Sequence, residues 1–431
     1  MRSYLLAFAS LLTTQLALAQ SGDFAITGAK VVVGNGQVLD GTTVIVKDGK
    51  IDSLTTSPAP AGMTIVDAKG KILYPGFIDA YSTRLTKSAP EAKMEGKPDQ
   101  NTFAPPYMWI GNRKGIYSDF GAAENLDFEK DSGSYENGIT TVLLAPSKGC
   151  VRGSCAVVNL LPSTDKTRVL NNQFGFGLGF RNGSGDGYPS NILGVLALMR
   201  QVLADAKSLA DGVVLTKETT KPFWMKSLED LHPLVTGKRP GIFEASIDRE
   251  LERSIKIGAE FGFPVMIAGG RDAYKMTSQL MSNNISVLYS VDSLIEPSVE
   301  ADKPTVAPAD QTPIEYKKER HDKWEEQMTG ASSMAKSGVR FAFSSGSTPG
   351  AFLENVRSLI KFGFDKESAL KAMTVNAAEI LGLKDQLGTI EMGKQANLVL
   401  MSGDFADKDS KVERVWITGK AVLEPAKEVK K

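Results

Sequence analysis

Histidine is scarce in this sequence. Only two histidines, His232 and His321, occur among 431 residues. His232 precedes Pro233 in a turn-like run, and His321 lies in a charged stretch with helical character, so both are expected to be structural or surface residues. Imidazole is the commonest side-chain ligand of zinc-type ions. The sequence therefore excludes a metal centre that is built from several histidines.

The sequence has no net charge of either sign. It contains 50 Lys and Arg residues and 50 Asp and Glu residues, so the formal charge at pH 7 is zero. Nucleic acids and anionic membranes attract basic proteins. The balance therefore argues against either of them as a main partner.

Long apolar runs are also missing, and no stretch reaches the roughly 20 apolar residues that a membrane span requires. The N terminus instead predicts a cleavable signal peptide over residues 1–19. Arg2 supplies the positive start, residues 4–12 form a short apolar core, and Ala17-Leu18-Ala19 fits a cleavage site before Gln20. A membrane anchor is the alternative. We expect a secreted or periplasmic protein that is cleaved near Ala19-Gln20.

The two cysteines, Cys150 and Cys155, frame the run Val-Arg-Gly-Ser. In an oxidising compartment this spacing predicts a disulfide across a small loop, which would stabilise the fold by about 2 kcal/mol. A zinc site is disfavoured because no histidine or further cysteine lies nearby. A catalytic dithiol normally has the closer C-x-x-C spacing.

The two ends of the chain consist of short predicted strands and turns. Residues 20–73 include the hairpin signal Asp48-Gly49, and residues 386–431 contain further strands. Neither segment can bury a core alone, so we expect the two segments to pair as one composite β-sandwich domain. Strand and helix signals alternate over residues 74–385, which predicts an α/β domain of the β/α-barrel class.

The stretch Gly175-Phe176-Gly177-Leu178-Gly179 is rich in glycine. A phosphate-binding loop would need Gly-Lys-Ser/Thr at its end, or G-x-G-x-x-G between a strand and a helix. Neither context is present, so the glycines predict close packing of a strand against its neighbour.

Three stretches resemble the amidohydrolase superfamily. Pro75-Gly76-Phe77-Ile78-Asp79-Ala80 is similar to the opening barrel strand, residues 369–382 are similar to the closing helix, and residues 387–400 are similar to the run that enters the flanking sheet. Residues 188–206 resemble the exported, imidazolonepropionase-like type. The resemblance implies a (β/α)8 TIM barrel with a small flanking β-sandwich, a divalent metal such as zinc, and hydrolysis of non-peptide carbon–nitrogen bonds.

The metal ligands that the resemblance implies are absent from this chain. The family has His-x-His on the first strand, a histidine on the fifth, a histidine on the sixth and an aspartate on the eighth. The matching positions here are Tyr81, Thr83, Glu244, Gly269 and Gly346. A phenol, a hydroxyl and two glycines do not replace imidazoles as zinc ligands. We therefore expect no resident metal and no other cofactor.

Two other sites remain possible from the sequence. Asp79, Glu244, Asp272 and Asp292 lie near predicted strand ends, and some of them could converge on a hard cation. A serine nucleophile could come from the cluster of Ser344, Ser345 and Ser347, but no histidine base or G-x-S-x-G elbow accompanies it.

The sequence thus favours an exported pseudoenzyme, which either binds a ligand or serves as the partner subunit of an active paralogue or of a second copy. The residues expected to line its pocket are Tyr81, Thr83, Glu244, Arg271 and Ser345. The alternative is a hydrolase of cyclic amide-like carbon–nitrogen bonds with an altered site, which would require a divalent metal such as zinc.

Overall fold

A computed structural model describes residues 22–89, 115–127, 133–162, 164–181, 189–213, 223–292, 294, 296–300 and 311–425. The predicted signal peptide, residues 1–19, lies outside the described residues. No helix in the described part of the chain is both long enough and apolar enough to cross a membrane.

The strands form three sheets. In chain order they are β1 Phe24–Thr27, β2 Lys30–Val32, β3 Val38–Leu39, β4 Thr43–Lys47, β5 Lys50–Thr55, β6 Thr64–Asp67, β7 Ile72–Pro75, β8 Phe77–Ser82, β9 Ile139–Leu144, β10 Val151–Asn159, β11 Val169–Gly179, β12 Gly241–Ala245, β13 Val265–Gly269, β14 Ser286–Ser290, β15 Phe341–Ser344, β16 Leu398–Met401, β17 Val412–Ile417 and β18 Lys420–Leu423.

The helices lie mainly between the later strands. They are α1 Ile192–Ala210, α2 Phe223–Glu229, α3 His232–Val235, α4 Asp248–Phe261, α5 Thr277–Ser282, α6 Ile314–Lys336, α7 Phe352–Lys361, α8 Lys366–Met373 and α9 Val375–Ile380.

Of the two smaller sheets, one is built from the N-terminal segment alone and the other from both ends of the chain. One has the strand order β5-β4-β1-β6, and the other has the order β18-β17-β16-β7-β2-β3, in which β16 pairs antiparallel with β7. The predicted Asp48-Gly49 hairpin is confirmed, because Lys47 pairs with Lys50 and both turn residues have positive φ angles. Side chains from both sheets share one apolar cluster that includes Ile26, Val44, Leu73, Leu398 and Trp416.

The third sheet has eight strands in chain order, from β8 to β15. β8 pairs parallel with β9, and the strands from β11 to β15 pair parallel with one another. β10 runs antiparallel to both β9 and β11. The two outer strands meet at one bridge, where the Gly346 amide donates to the Tyr81 carbonyl and the Thr83 amide donates to the Gly346 carbonyl.

The predicted (β/α)8 barrel therefore needs correction. Too few residues separate Leu144 from Val151, or Asn159 from Val169, for the crossover of a dozen or more residues that parallel pairing requires. β9, β10 and β11 are consequently joined as antiparallel neighbours. No continuous ladder closes the sheet in the described residues, since β8 and β15 share a single bridge.

The two faces of this sheet have different cores, because side chains alternate across each strand. One face packs against the helices through large residues that include Val142, Phe243, Ile267, Tyr289 and Phe343. The other face carries an inner cluster that includes Ile78, Leu143, Val157, Ile242, Met266, Ala268, Leu288 and Ala342. Polar residues replace this cluster toward the carboxyl ends of the strands.

The predicted disulfide is wrong in this structure, because Cys150 and Cys155 are both free and buried. An extended strand separates residues by about 3.3 Å each and turns alternate side chains to opposite faces. A register shift between Val151 and Gly153 interrupts the regular alternation in this part of β10. Cys150 belongs to the core on the helix side and Cys155 belongs to the inner cluster, so the two thiols lie in different cores.

We expect both thiols to be inert in the native protein. Burial raises the pKa of Cys150 and of Cys155 to about 12, so almost no thiolate is present at neutral pH. Intact-mass spectrometry after treatment with iodoacetamide should show no adduct on native protein and two adducts after unfolding. A non-reduced, unfolded protein that takes up no label would instead show that the cysteines are joined.

Candidate functional site

A polar cavity of about 530 Å³ opens at the carboxyl ends of the strands. All five positions that were matched to the family's metal ligands line this one cavity. The matching of this chain's strands to the family's strands required that they lie together. Arg271 lines it as well. The lining residues are Tyr81, Thr83, Ser147, Arg152, Arg181, Glu244, Ser246, Gly269, Arg271, Ser290, Asp292, Ser344, Gly346 and Ser347.

The register of the sheet brings these positions together. Tyr81 lies at the end of β8 and Glu244 lies near the end of β12. Gly269 ends β13 and pairs with Ala245, while Gly346 follows β15 and bridges to Ser82. Parallel strands meet at their carboxyl ends, which is where barrel-type proteins place functional groups.

The central ion pair of the cavity is formed by Glu244 and Arg152, and the sequence had not pointed to Arg152. Arg152 lies on β10, is only 2% exposed, and donates from Nη1 to Glu244 Oε2 at 2.6 Å. Its Nε donates to the Gly149 carbonyl at 3.0 Å. The Arg152 guanidinium thus places a cation beside Glu244, the residue that was matched to the ligand histidine of the fifth strand.

The glycine-rich strand β11 provides space for Arg152. A Cβ atom at Gly179 would lie 2.5 Å from Nη2 of Arg152, and one at Gly177 would lie 3.2 Å from its Cβ. The prediction of close strand packing is therefore confirmed. The glycine-rich run was the one trace of this arrangement in the sequence, and it predicted close packing without identifying Arg152.

Both partners of the central pair keep their charges. Burial alone would raise the pKa of Glu244, but the Arg152 guanidinium lowers it below its ordinary value. Burial alone would lower the pKa of Arg152, but the Glu244 carboxylate raises it above its ordinary value. Glu244 is therefore a carboxylate that is already engaged by a cation.

The second carboxylate of the cavity is also engaged. Asp292 Oδ1 accepts from Nη2 of Arg271 at 2.8 Å and from the Ser290 hydroxyl at 2.5 Å. The same Arg271 nitrogen donates to the Asp292 carbonyl at 2.7 Å. Arg271 thus lines the cavity as predicted, but it is held against its wall.

Gly269 and Gly346 have backbone conformations that favour glycine, with φ angles of +105° and +58°. A Cβ atom at Gly269 would lie 2.6 Å from the Ser246 hydroxyl oxygen and 2.8 Å from the Ala245 carbonyl oxygen. One at Gly346 would lie 2.7 Å from Oδ2 of Asp292. Neither position therefore has room for a side chain that could bind a metal.

Ser345 does not line the cavity, contrary to the prediction. It is fully buried, its amide donates to Asp79 Oδ1 at 2.8 Å, and its hydroxyl donates to Asp79 Oδ2 at 2.5 Å. Its neighbours Ser344 and Ser347 line the cavity instead. Burial raises the pKa of Asp79 to about 7, although the hydrogen bonds from Ser345 oppose that shift.

The two alternatives that remained possible from the sequence are at most partly assembled at this cavity. Asp79 is buried behind the lining residues, and Asp272 accepts from Lys323 of α6 at 3.0 Å instead of lining the cavity. The cavity serines have no histidine beside them among the described residues, because His232 lies in α3 and His321 lies in α6. Glu244 and Asp292 do line the cavity together, but each is bound to an arginine, and a serine–histidine site is not assembled among the described residues.

The lining residues do not fit the metal that the resemblance implies. The only two carboxylates among them, Glu244 and Asp292, are each bound to an arginine. The remaining matched positions offer a phenol, a hydroxyl and two glycines. In the described residues, ligand atoms at metal-like spacing occur only at His321, Asp322 and Glu325 on α6, and none of these residues lines the cavity.

The Arg152–Glu244 pair should be essential for stability. Arg152→Met removes the partner of a largely buried carboxylate, and we expect a loss of about 3 kcal/mol in the free energy of unfolding in urea. Glu244→Gln in the same background should restore part of that loss. The matched control is Arg200→Met, which removes a pair with Glu260 of similar length, 2.7 Å, in which both side chains are 42% exposed. That control should lose less than about 1 kcal/mol, and equal losses would contradict the assigned role.

Gly346→Ala tests whether the eighth-strand position has lost the space for a side chain. The new Cβ atom would be strained at positive φ and would also contact Asp292, so we expect destabilisation. Gly382→Ala is the matched control, because Gly382 has φ +70° and open space around it. Thermal or urea unfolding should show that Gly346→Ala costs at least about 1 kcal/mol more than Gly382→Ala. Similar costs would show that the space is available.

Comparisons with known proteins agree with this architecture. Residues 239–422, which include three of the five matched positions, match the amidohydrolase family. The structure is similar to an amidohydrolase from Thermotoga maritima MSB8, with a TM-score of 0.70 and 24% identity over 93% of this chain and 100% of that chain. It is also similar to a Xaa-Pro dipeptidase with bound methionine in the active site, with a TM-score of 0.53 and 12% identity over 93% and 100% of the two chains.

Two further similarities are shorter or more distant. Molinate hydrolase has a TM-score of 0.52 and 14% identity over 93% of this chain and 94% of that chain. N-acetylglucosamine-6-phosphate deacetylase from Vibrio furnissii is 37% identical over 60 residues, which are 14% of this chain and 14% of that relative. The match thus spans a small part of the relative's length. Residues 239–422 thus match the amidohydrolase family over less than half of the chain, and the fold of the chain is similar to that of the solved amidohydrolase.

Proposed function

We propose that this protein binds a small molecule in its cavity and does not carry out metal-dependent hydrolysis. The observation that carries the proposal is the donor set of the cavity. Both of its carboxylates are held by arginines, and the other positions matched to metal ligands are Tyr81, Thr83, Gly269 and Gly346.

The chemistry of hydrolysis supports this proposal. A metal-dependent hydrolase lowers the pKa of a bound water from about 15.7 to about 7 and thereby makes a nucleophile. The residues around this cavity offer no free set of ligands for such a metal. A fold shared with hydrolases does not supply the missing chemistry, because function depends on the site.

The size and the polarity of the cavity support binding. A volume of about 530 Å³ lies within the range of small-molecule sites. Its wall carries hydroxyl and guanidinium groups that can orient a polar ligand. We further propose that the protein is of the exported, imidazolonepropionase-like type, with secretion or periplasmic location after removal of residues 1–19. A partnership with an active paralogue or with a second copy stays a prediction.

The rival function is hydrolysis of carbon–nitrogen bonds at an altered site that contains zinc. The match of residues 239–422 to the amidohydrolase family favours it, as do the names of the similar proteins, which include a deacetylase, a dipeptidase and a hydrolase. Those names describe the similar proteins. Metal content separates the two functions.

Metal analysis of the purified mature protein, after incubation with zinc and gel filtration, tests the proposal. His321→Ala serves as the control, because His321, Asp322 and Glu325 could hold zinc on the surface of α6. We expect that this variant retains only trace zinc. We also expect that EDTA does not change the binding of small molecules in the cavity. Stoichiometric zinc that survives His321→Ala, disappears in Glu244→Gln and supports chelator-sensitive amide hydrolysis would overturn the proposal.

A further inference from the structure

The cavity contains a buried hydroxyl group without a hydrogen-bond partner. Tyr81 is 2% exposed and lines the cavity. Its Oη lies beside Arg152 and Glu244 but makes no hydrogen bond of acceptable geometry with either residue. Burial, followed by the charge of Glu244, raises the pKa of Tyr81, so the hydroxyl keeps a proton to donate. An unmet buried donor of this kind is destabilising, and a ligand acceptor would remove that cost.

Two guanidinium groups add further donors at the same cavity. Nε of Arg271 is buried and has no partner, although Nη2 of the same side chain is bound to Asp292. Arg181 is exposed and makes no hydrogen bond or ion pair with any residue in the described part of the chain. The charged lining residues that remain available to a ligand are thus donors.

Each lining carboxylate is already engaged by an arginine through one of its oxygens. Glu244 accepts from Arg152, and Asp292 accepts from Arg271 and Ser290. The three lining arginines exceed the two lining carboxylates by one positive charge. A ligand that brings one negative charge and several acceptor oxygens would complement this wall.

We propose that the cavity binds a small organic monoanion through a single carboxylate group. This carboxylate accepts hydrogen bonds from Tyr81 Oη and from the available guanidinium donors of Arg181 and Arg271. This inference rests on the proposed function, since a resident metal would change both the charge and the donors of the cavity. A carboxylate suits the site better than a phosphate dianion, because one charge balances the excess and guanidinium donors match its two oxygens.

The experiment uses the full mature protein and two pairs of probes that differ only in charge. N-acetylglycine is compared with N-acetylglycinamide, and benzoate is compared with benzamide, by isothermal titration calorimetry and thermal shift. Inorganic phosphate is a third arm. We expect at least one carboxylate to bind with a millimolar or better Kd, its amide to bind at least tenfold more weakly, and phosphate to bind more weakly than the carboxylate.

Two conservative variants supply the test of geometry. Tyr81→Phe removes the unmet hydroxyl, so it should weaken carboxylate binding about tenfold and leave the ligand-free protein as stable as before or more so. Tyr289→Phe is the matched control, because Tyr289 is 1% exposed, also has an unpartnered hydroxyl, and lies outside the lining residues. It should leave binding unchanged. Arg181→Gln should weaken binding about tenfold, whereas Arg200→Gln on the surface of α1 should not.

The outcomes separate this inference from the proposed function. Binding of the amides as tightly as the acids, tighter binding of phosphate, equal effects of Tyr81→Phe and Tyr289→Phe, or no binding of either acid would overturn the carboxylate assignment. In each of these cases a protein without zinc would leave the proposed function standing. Binding that requires zinc and is abolished by EDTA would overturn the proposed function itself.

Discussion

The ion pair between Arg152 and Glu244 is the interaction on which the candidate site depends. A largely buried carboxylate is stable only when a cation and further hydrogen bonds compensate for its lost hydration. Here the cation is a side chain that is covalently fixed to β10, and Nη1 of Arg152 lies 2.6 Å from Oε2 of Glu244. The pair leaves Glu244 charged but unavailable as a free metal ligand. The same pair determines which groups of the cavity, above all the Tyr81 hydroxyl, remain without partners.

The antiparallel strand β10 is what delivers Arg152. In a regular β/α barrel a helix would follow β9 and the next strand would be parallel, whereas here short connections reverse the chain twice. Gly177 and Gly179 of the neighbouring strand then allow the arginine to pack flat against β11. The departure from the predicted barrel therefore also delivers the cation that pairs with Glu244.

Local patterns were sufficient to predict much of the architecture. Short motifs near residues 75, 375 and 390 carried the resemblance that predicted an α/β fold, and the five positions matched through that resemblance all line one cavity. Arg152 was missed because its partner Glu244 is distant in sequence and no local pattern marks a pairing of that kind. The cysteine spacing misled for the opposite reason, since C-x4-C suggests a loop, but almost all of these residues form a strand. Ser345 was misplaced by one position, because the chain bends after β15 and turns Ser344 and Ser347 toward the cavity.

Acid–base catalysis requires a titrating group within hydrogen-bond reach of the reacting atoms. Asp79, with a pKa of about 7, has the proton affinity that such a role needs, but it is 1% exposed. Both of its oxygens accept hydrogen bonds from Ser345, and the amide of Tyr81 donates to one of them. Asp79 therefore braces the first strand against the eighth from behind the cavity wall. A ligand in the cavity would instead meet the Tyr81 hydroxyl and the guanidinium groups of Arg181 and Arg271, which are donors suited to an anion.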